Sequence, residues 1–483
     1  MNILFATSEM NPLAATGGLG DVAGSLPAAL RERGIDVRVI MPLYKKIKQT
    51  YRDSLRFIRW SMINLGWRTM YSGLFTMDVG GVPIYFIDND FYFGHDDLYI
   101  DYSFDVERFA FFQRAVLEVM GEPMEFQPDL LHLNDWQTAM MPVLLESHYQ
   151  KNGYHRDVHS LITVHNLKYQ GIHGCEVVQD LLDLTDDYMT DDKVLLNGVP
   201  NFMKAGITYA SRVTTVSPTY AREIMTDYYG EGLDGVLRDQ GWKVQGILNG
   251  IDIGLYNPEK DPALPASYSK KAWVRGKGRC KAALQQEAGL PQKPKTPLIS
   301  MVTRLAQQKG IDLLVRILDE LLEEDVQFIL LGSGDPNYER RIREIEARHP
   351  DRMRAYIMFD PLLARRIYAG SDIFLMPSLF EPCGLSQMIA MRYGTLPIVR
   401  QTGGLADTVQ AYNRYDHTGN GFGFLNINAH ELLFTTKDAV KLYNEEPVIW
   451  KKLVHQAMAG DYSWDRSAQS YEQLYRDILE ETR

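Results

Sequence analysis

The chain has 483 residues, 45% of them hydrophobic and 23% charged, and carries a formal net charge of −11. That length exceeds what one hydrophobic core normally serves, so two large domains are expected. The acidic balance argues against a general nucleic-acid or anionic-membrane surface, so any anion site must be local, built from a few Arg, Lys and backbone donors. Short apolar runs alternate with helical patterns almost throughout, the mark of parallel α/β architecture. Residues 3–7 open the first series as a strand, and Thr16-Gly17-Gly18-Leu19-Gly20-Asp21-Val22 follows at a helix start. Further strands are expected at 37–41, 83–87, 130–133, 160–164 and 213–216, each running into polar or Gly-rich residues. Ligands of open α/β sheets bind beyond such strand ends.

Gly246-Ile247-Leu248-Asn249-Gly250-Ile251-Asp252 falls between the two series and reads as a hinge. A basic helical stretch covers 270–297. The second series then has strands at 298–302, 326–331, 355–359, 373–376 and 396–399. After its last strand, Thr402-Gly403-Gly404-Leu405-Ala406-Asp407 nearly repeats the first fingerprint. The tail, 461–483, carries a capping signal, aromatic anchors and a helix. The expected domains are therefore 1–245, 246–460 and the tail helix 461–483. Cys175, Cys280 and Cys383 are odd in number and widely spaced, which supports neither a disulfide framework nor a metal site. No basic leader precedes the first strand and no apolar run is long enough to span a bilayer, so a cytoplasmic protein is expected.

Paired glycines before a helix let the backbone approach a ligand and aim N–H groups at negative charge. One such turn in each half points to two similar domains closing on a phosphate-bearing molecule. Arg304, with Lys309 five residues on, follows a strand and faces a helix start. Arg offers a planar fork to phosphate oxygens and Lys a point charge. Basic residues there run against the helix dipole, a penalty that a bound anion removes. Glu381, in the turn Glu381-Pro382-Cys383-Gly384-Leu385, reads either as a helix cap or as an acceptor for sugar hydroxyls. His165 ends a buried strand, as a satisfied core group or as a ligand-facing one. Asp135-Trp136 is a capped helix start with a packed Trp, or a carboxylate beside an aromatic against a sugar face. Phe359 is core or a platform for a base. Asp360-Pro361 after it fits an N-cap with Pro at the first helical position.

Taken together, the motifs resemble the bacterial glycogen (starch) synthases, the ADP-glucose-using retaining glucosyltransferases of family 5. The residues carrying the resemblance are the Gly-Gly-Leu-Gly-Asp-Val turn, Asn134-Asp135-Trp136, Thr163-Val164-His165-Asn166-Leu167 and Asn201-Phe202-Met203-Lys204-Ala205-Gly206. They continue with Val216-Ser217-Pro218, Leu248-Asn249-Gly250-Ile251-Asp252, Glu381-Pro382-Cys383-Gly384-Leu385 and Thr402-Gly403-Gly404-Leu405. The resemblance implies a GT-B fold, two Rossmann-like domains facing each other across a deep cleft, with the tail helix packed back on the N-terminal domain. It implies glucose transfer from ADP-glucose to the non-reducing end of an α-1,4-glucan, with retention, no cofactor and no metal. It assigns His165, Glu381 and Asp135 to catalysis. Donor contacts fall to Gly17, Gly18, Asp21, Asn249, Arg304, Lys309, Phe359, Cys383, Gly384, Leu385, Gly403, Gly404 and Leu405.

One position departs from the pattern. The family carries Lys immediately before Thr-Gly-Gly, and this chain has Ala15. Losing one preorganised donor at a developing charge costs on the order of 3 kcal/mol, roughly 10²–10³ in rate. Three readings stand: weaker activity with the same donor, compensation by another cation such as Lys168, or a low-activity glucan-binding paralogue. A related enzyme using UDP-glucose or another acceptor is the remaining alternative.

Overall fold

The computed structural model describes residues 1–481; the last two residues of the expected tail helix lie outside the described residues. The chain divides into two compact units, one formed by Met1–Gly250 together with the segment from Trp464 onward, the other by Ile251–Ser463.

The first unit holds a nine-stranded sheet. Seven strands are parallel, in the spatial order Val244–Gly246, Arg212–Thr215, His159–Val164, Leu130–Asn134, Asn2–Ala6, Asp36–Pro42 and Val82–Asp88. An antiparallel ribbon, Arg68–Val79 and Arg56–Leu65, extends the last edge. The first strand is buried on both faces, with Ile3, Leu4, Phe5 and Ala6 fully inaccessible. A central parallel strand covered by helices on both sides has no reason to alternate, which explains the continuous apolar run.

The second unit has six parallel strands in the order Met353–Tyr356, Gln327–Leu331, Leu298–Val302, Ile373–Met376, Leu396–Arg400 and Phe422–Phe424. Counted along the chain this is 3-2-1-4-5-6, the doubly wound dinucleotide-binding order. The first unit follows the same order with a seventh strand and the ribbon added. The order reverses beside Asn2–Ala6 in one unit and beside Leu298–Val302 in the other. Crevices form at such switch points, beyond the carboxyl ends of the strands.

Two expected boundaries move. Val244–Gly246 pairs with Arg212–Thr215, and Ser467 Oγ donates to the Leu248 carbonyl, so the first unit runs on to Gly250. At the other end Asp461–Ser463 stay with the second unit and the last helix starts at Trp464. The strand expected at 355–359 runs Met353–Tyr356 instead. This leaves Phe359 in the following loop, where Asp360 caps the next helix through Leu362 N and Leu363 N with Pro361 behind it.

Candidate active site

In the first unit the loops after three strands meet at the switch point. Asp135 follows Leu130–Asn134 in a left-handed conformation, φ +56°. Its own N–H donates to the Thr163 carbonyl at 3.0 Å. Its Oδ1 accepts the N–H groups of His165 at 2.7 Å and Asn166 at 3.5 Å, leaving Oδ2 for another donor. Burial pushes its pKa up to about 7, against the pull of those two N–H groups and with a push from Glu9. His165 Nε2 lies 2.9 Å from Asn134 Oδ1. The Asn134 amide nitrogen is committed to the Ala6 carbonyl, so Nε2 carries the proton and Nδ1 the lone pair. Burial holds the ring neutral, its pKa lowered to about 3.

Sequence reasoning missed Glu9, at the end of the first strand. Its Oε2 accepts Thr16 N at 2.6 Å and Gly17 N at 3.2 Å, and its Oε1 accepts Thr16 Oγ1 at 2.8 Å and Tyr99 OH at 2.6 Å. Tyr99 also meets Ser8 Oγ at 3.0 Å and Gln137 Nε2 at 3.4 Å. The only signal in the sequence was the Ser8-Glu9 pair at a strand end. Nothing pointed to Tyr99, which arrives from a loop far along the chain. Asp21, in the first turn of the helix Gly18–Glu32, accepts Asn11 Nδ2 at 2.6 Å. Its pKa is raised by burial, against the Asn11 bond and with help from Glu9. Ala15 Cβ faces the same helix turn, 2.2 Å from where a Cβ on Gly20 would stand. Asn249 is buried and its Oδ1 has no hydrogen-bond partner among the described residues.

The two Gly-Gly turns are not used alike. A Cβ on Gly17 or Gly18 would meet nothing within 4 Å; no packing among the described residues requires glycine there. Gly17 N is taken by Glu9, whereas Gly18 and Leu19 head a helix whose first amides have no intrahelical acceptor. In the second turn a Cβ on Gly403 would stand 2.0 Å from the Glu381 carbonyl, and one on Gly404 2.1 Å from the Cys383 carbonyl. Gly404 N donates to the carbonyls of Glu381 and Pro382, both at 3.1 Å. The second pair lets two loops lie against each other. Gly18→Ala is therefore expected to leave thermal stability unchanged while lowering transfer roughly tenfold or more, by displacing a bound group. Gly404→Ala is expected to destabilise the protein by about 1–3 kcal/mol through overpacking. Thermal melts beside transfer rates check both.

In the second unit, Lys309 Nζ pairs with Glu381 Oε2 at 2.6 Å, and the side chains are only 16% and 9% exposed. Ser378 Oγ donates to the same oxygen at 3.0 Å. Arg400 Nε holds the Ser378 carbonyl at 2.9 Å, and Gln308 Nε2 the Phe380 carbonyl at 3.3 Å. Gly310, φ +71°, lets its loop pass the Pro377 carbonyl, where a Cβ would come within 2.1 Å. Gln387 Nε2 ties the Cys383 and Gly384 carbonyls; Gly384 has φ +73° and Leu385 leads into the helix Ser386–Arg392. Leu405 is buried. Lys309, Glu381, the Cys383–Leu385 turn and Gly403-Gly404 are thus knitted together. Arg304 is exposed, with no ion-pair partner among the described residues. Phe359 is 87% exposed, beyond the end of the outermost strand, and contributes nothing to the core.

Two doubly wound units, each with polar loops gathered at its switch point, fit the GT-B class of glycosyltransferases, in which the comparisons place the chain. The profile of the starch synthase catalytic domain matches residues 2–239, and that of group 1 glycosyl transferases matches 284–440. Glycogen synthases of Bacillus cereus and Geobacillus thermodenitrificans are each 48% identical to it, over 480 and 479 residues. The matches cover 99% of this chain in both cases, and 100% and 98% of those proteins. The catalytic domain of starch synthase IV from Arabidopsis thaliana, solved with ADP and acarbose, superposes with a TM-score of 0.90. It shares 34% identity over 99% of each chain. Sucrose-phosphate synthase of Thermosynechococcus elongatus, 18% identical with a TM-score of 0.61 over 99% of each chain, shares the fold. The chain belongs to the glycogen (starch) synthase family and is a hexosyltransferase. No helix among the described residues is long and apolar enough to cross a membrane.

Proposed function

We propose that this enzyme transfers glucose from ADP-glucose to the non-reducing 4-OH of an α-1,4-glucan such as glycogen, with retention. The observation that carries this reading is the Lys309–Glu381 pair, with exposed Arg304 five residues before Lys309 in the chain. It stands in a chain whose relatives are glycogen synthases and whose structural neighbour was solved with ADP. Departure of ADP builds negative charge on the β-phosphate, which Arg304 and Lys309 meet; the amides heading Gly18–Glu32 are free donors of the kind that bind anions. Glu381 then turns to the glucosyl hydroxyls, and the Cys383–Leu385 turn lies against them. Phe359 offers its exposed face to the base. A neutral His165 adds no positive charge beside an oxocarbenium-like centre, so its ring and carbonyl can hold sugar hydroxyls there. Asp135 Oδ2 accepts from the incoming hydroxyl. Attack on the face the nucleotide leaves gives retention without a covalent intermediate. We place the enzyme in the cytoplasm; its three cysteines form no disulfide among the described residues.

Ala15 and the carboxylate of Glu9 beside it favour a second reading, a synthase of low turnover that chiefly binds glucan. Transfer from radiolabelled ADP-glucose to glycogen, with UDP-glucose in parallel, tests the two. Transfer from ADP-glucose is expected to exceed that from UDP-glucose. Ala15→Lys, which supplies the family's cation and a partner for Glu9, is expected to raise kcat by about 10- to 10²-fold. Glycogen binding without transfer from either donor, restored by Ala15→Lys, would establish the second reading instead.

A further inference from the structure

The last helix, Trp464–Glu480, touches the first unit at the end of the helix Gly18–Glu32, at Leu248 and at His132. At one end Arg33, which closes the helix Gly18–Glu32, pairs with Glu472 at 2.7 Å and Asp465 at 3.0 Å. Ser467 Oγ donates to the Leu248 carbonyl, one residue before Asn249. Further along, Tyr475 OH lies 2.7 Å from His132 Nδ1, His132 Nε2 lies 2.7 Å from Thr163 Oγ1, and Thr163 Oγ1 lies 2.6 Å from Thr214 Oγ1. All four side chains are fully buried or nearly so. The imidazole is wedged edge-on to Phe5 and tilted against Tyr471, with ring centroids 4.6 and 5.3 Å away.

This relay ends at the residues that set the site. His132 sits two positions before Asn134, the partner of the His165 ring, and three before Asp135. Thr163 sits two before His165, and its carbonyl receives the Asp135 N–H. The side chain of Thr163 is thus gripped from the last helix while its backbone holds Asp135 in its left-handed conformation. A buried imidazole accepts on one nitrogen and donates on the other. It fits between two hydroxyls with no donor or acceptor left over, and removing either hydroxyl leaves a ring nitrogen bare in the core.

We propose that Tyr475, His132 and Thr163 are positioning residues for transfer, through which docking of the terminal helix fixes Asp135 and His165 in their working geometry. This rests on the reading of Asp135 and His165 as site residues. None of the three positioning side chains touches substrate; they act through the spacing of two neighbouring strand ends. Helix docking and turnover are coupled through them, so the final helix contributes to kcat as well as to the stability of the fold.

The experiment compares Thr163→Val, Thr163→Ser and Tyr475→Phe in the full-length enzyme, reading kcat, both KM values and the thermal midpoint. Asp135→Asn and His165→Ala serve as reference variants. Val keeps the shape of Thr and removes the hydroxyl, whereas Ser keeps the hydroxyl and removes a methyl. Thr163→Val and Tyr475→Phe are expected to lower kcat about tenfold with both KM values within about twofold, the signature of misplaced reacting groups. Thr163→Ser is expected to recover most of that rate. If Thr163→Val turns over like wild type while the reference variants are impaired, the relay has no positioning role and the proposal falls. It falls equally if Ser loses as much as Val, which would mark simple packing. Unimpaired reference variants would instead overturn the underlying assignment of Asp135 and His165.

Discussion

Lys309→Ala is expected to lower kcat roughly 10²–10³-fold, the loss that follows removal of one preorganised donor at a developing charge. Stability has to be separated from that loss, because the side chain is half of a buried pair, 2.6 Å from Glu381. Removing one partner of such a pair leaves an uncompensated carboxylate and costs about 3–5 kcal/mol. Ser378 Oγ alone would remain on that carboxylate oxygen. The single variant is thus expected to be slow and also to melt early. Adding Glu381→Gln removes the orphan charge, so the double variant is expected to regain most of the melting temperature and none of the rate. Melting curves and single-turnover rates on the three proteins decide it. A double variant whose rate returns along with its stability would show that Lys309 acts only as a structural counter-ion.

The second large effect is expected at Asp135, with rate and stability moving in opposite directions. Its pKa rises from 3.8 to about 7 on folding, through burial first. The folded chain therefore binds that proton more tightly than the unfolded chain does. The carboxyl favours folding most below pH 3.8, and its ionisation withdraws stability progressively as the pH rises from 3.8 to about 7. Asn keeps the oxygen that accepts from His165 N and Asn166 N and cannot ionise. Asp135→Asn is therefore expected to raise the melting temperature relative to wild type, by a margin that grows across that window and levels off above it. Oδ2 is lost as an acceptor, and kcat is expected to drop by about 10²–10⁴-fold, the usual contribution of a placed proton acceptor. In the wild type kcat should climb with pH through about 7, and in the variant that limb should vanish. A difference in melting temperature between Asp135→Asn and wild type that is the same at pH 5 and pH 8 would show that the carboxyl is not held near neutrality.

Much of the core was legible because buried parallel strands write themselves as unbroken apolar runs. Leu298–Val302 and Ile373–Met376 fall where the sequence places them, and the first series shifts by a residue or two. The ribbon Arg56–Leu65 and Arg68–Val79 was not legible. Its outer face carries Phe57, Trp60 and Met62, all about half exposed, so apolar residues occupy both faces and the alternation that signals a half-buried strand is blurred. Residues at strand ends were readable as candidates because fold class alone tells where ligands bind. Their partners were not. Tyr99 and Asn134 come to Glu9 and His165 through tertiary contacts that leave no local pattern. The repeated Gly-Gly fingerprint misled in one respect: glycine is needed at Gly403 and Gly404 for a close backbone crossing, and at Gly17 and Gly18 for none.

The first unit is discontinuous, with the whole second unit inserted before its last helix. On the ribosome, the strand bearing His132 emerges long before its partner Tyr475, 343 residues later. Until then His132 Nδ1 lacks the hydroxyl that it meets in the finished fold. The second unit is contiguous and needs no such wait. Domains made during synthesis ordinarily finish in N-to-C order. Here the order of completion is inverted: the C-terminal unit can close on itself first, and the N-terminal unit is finished by the final turns of the chain.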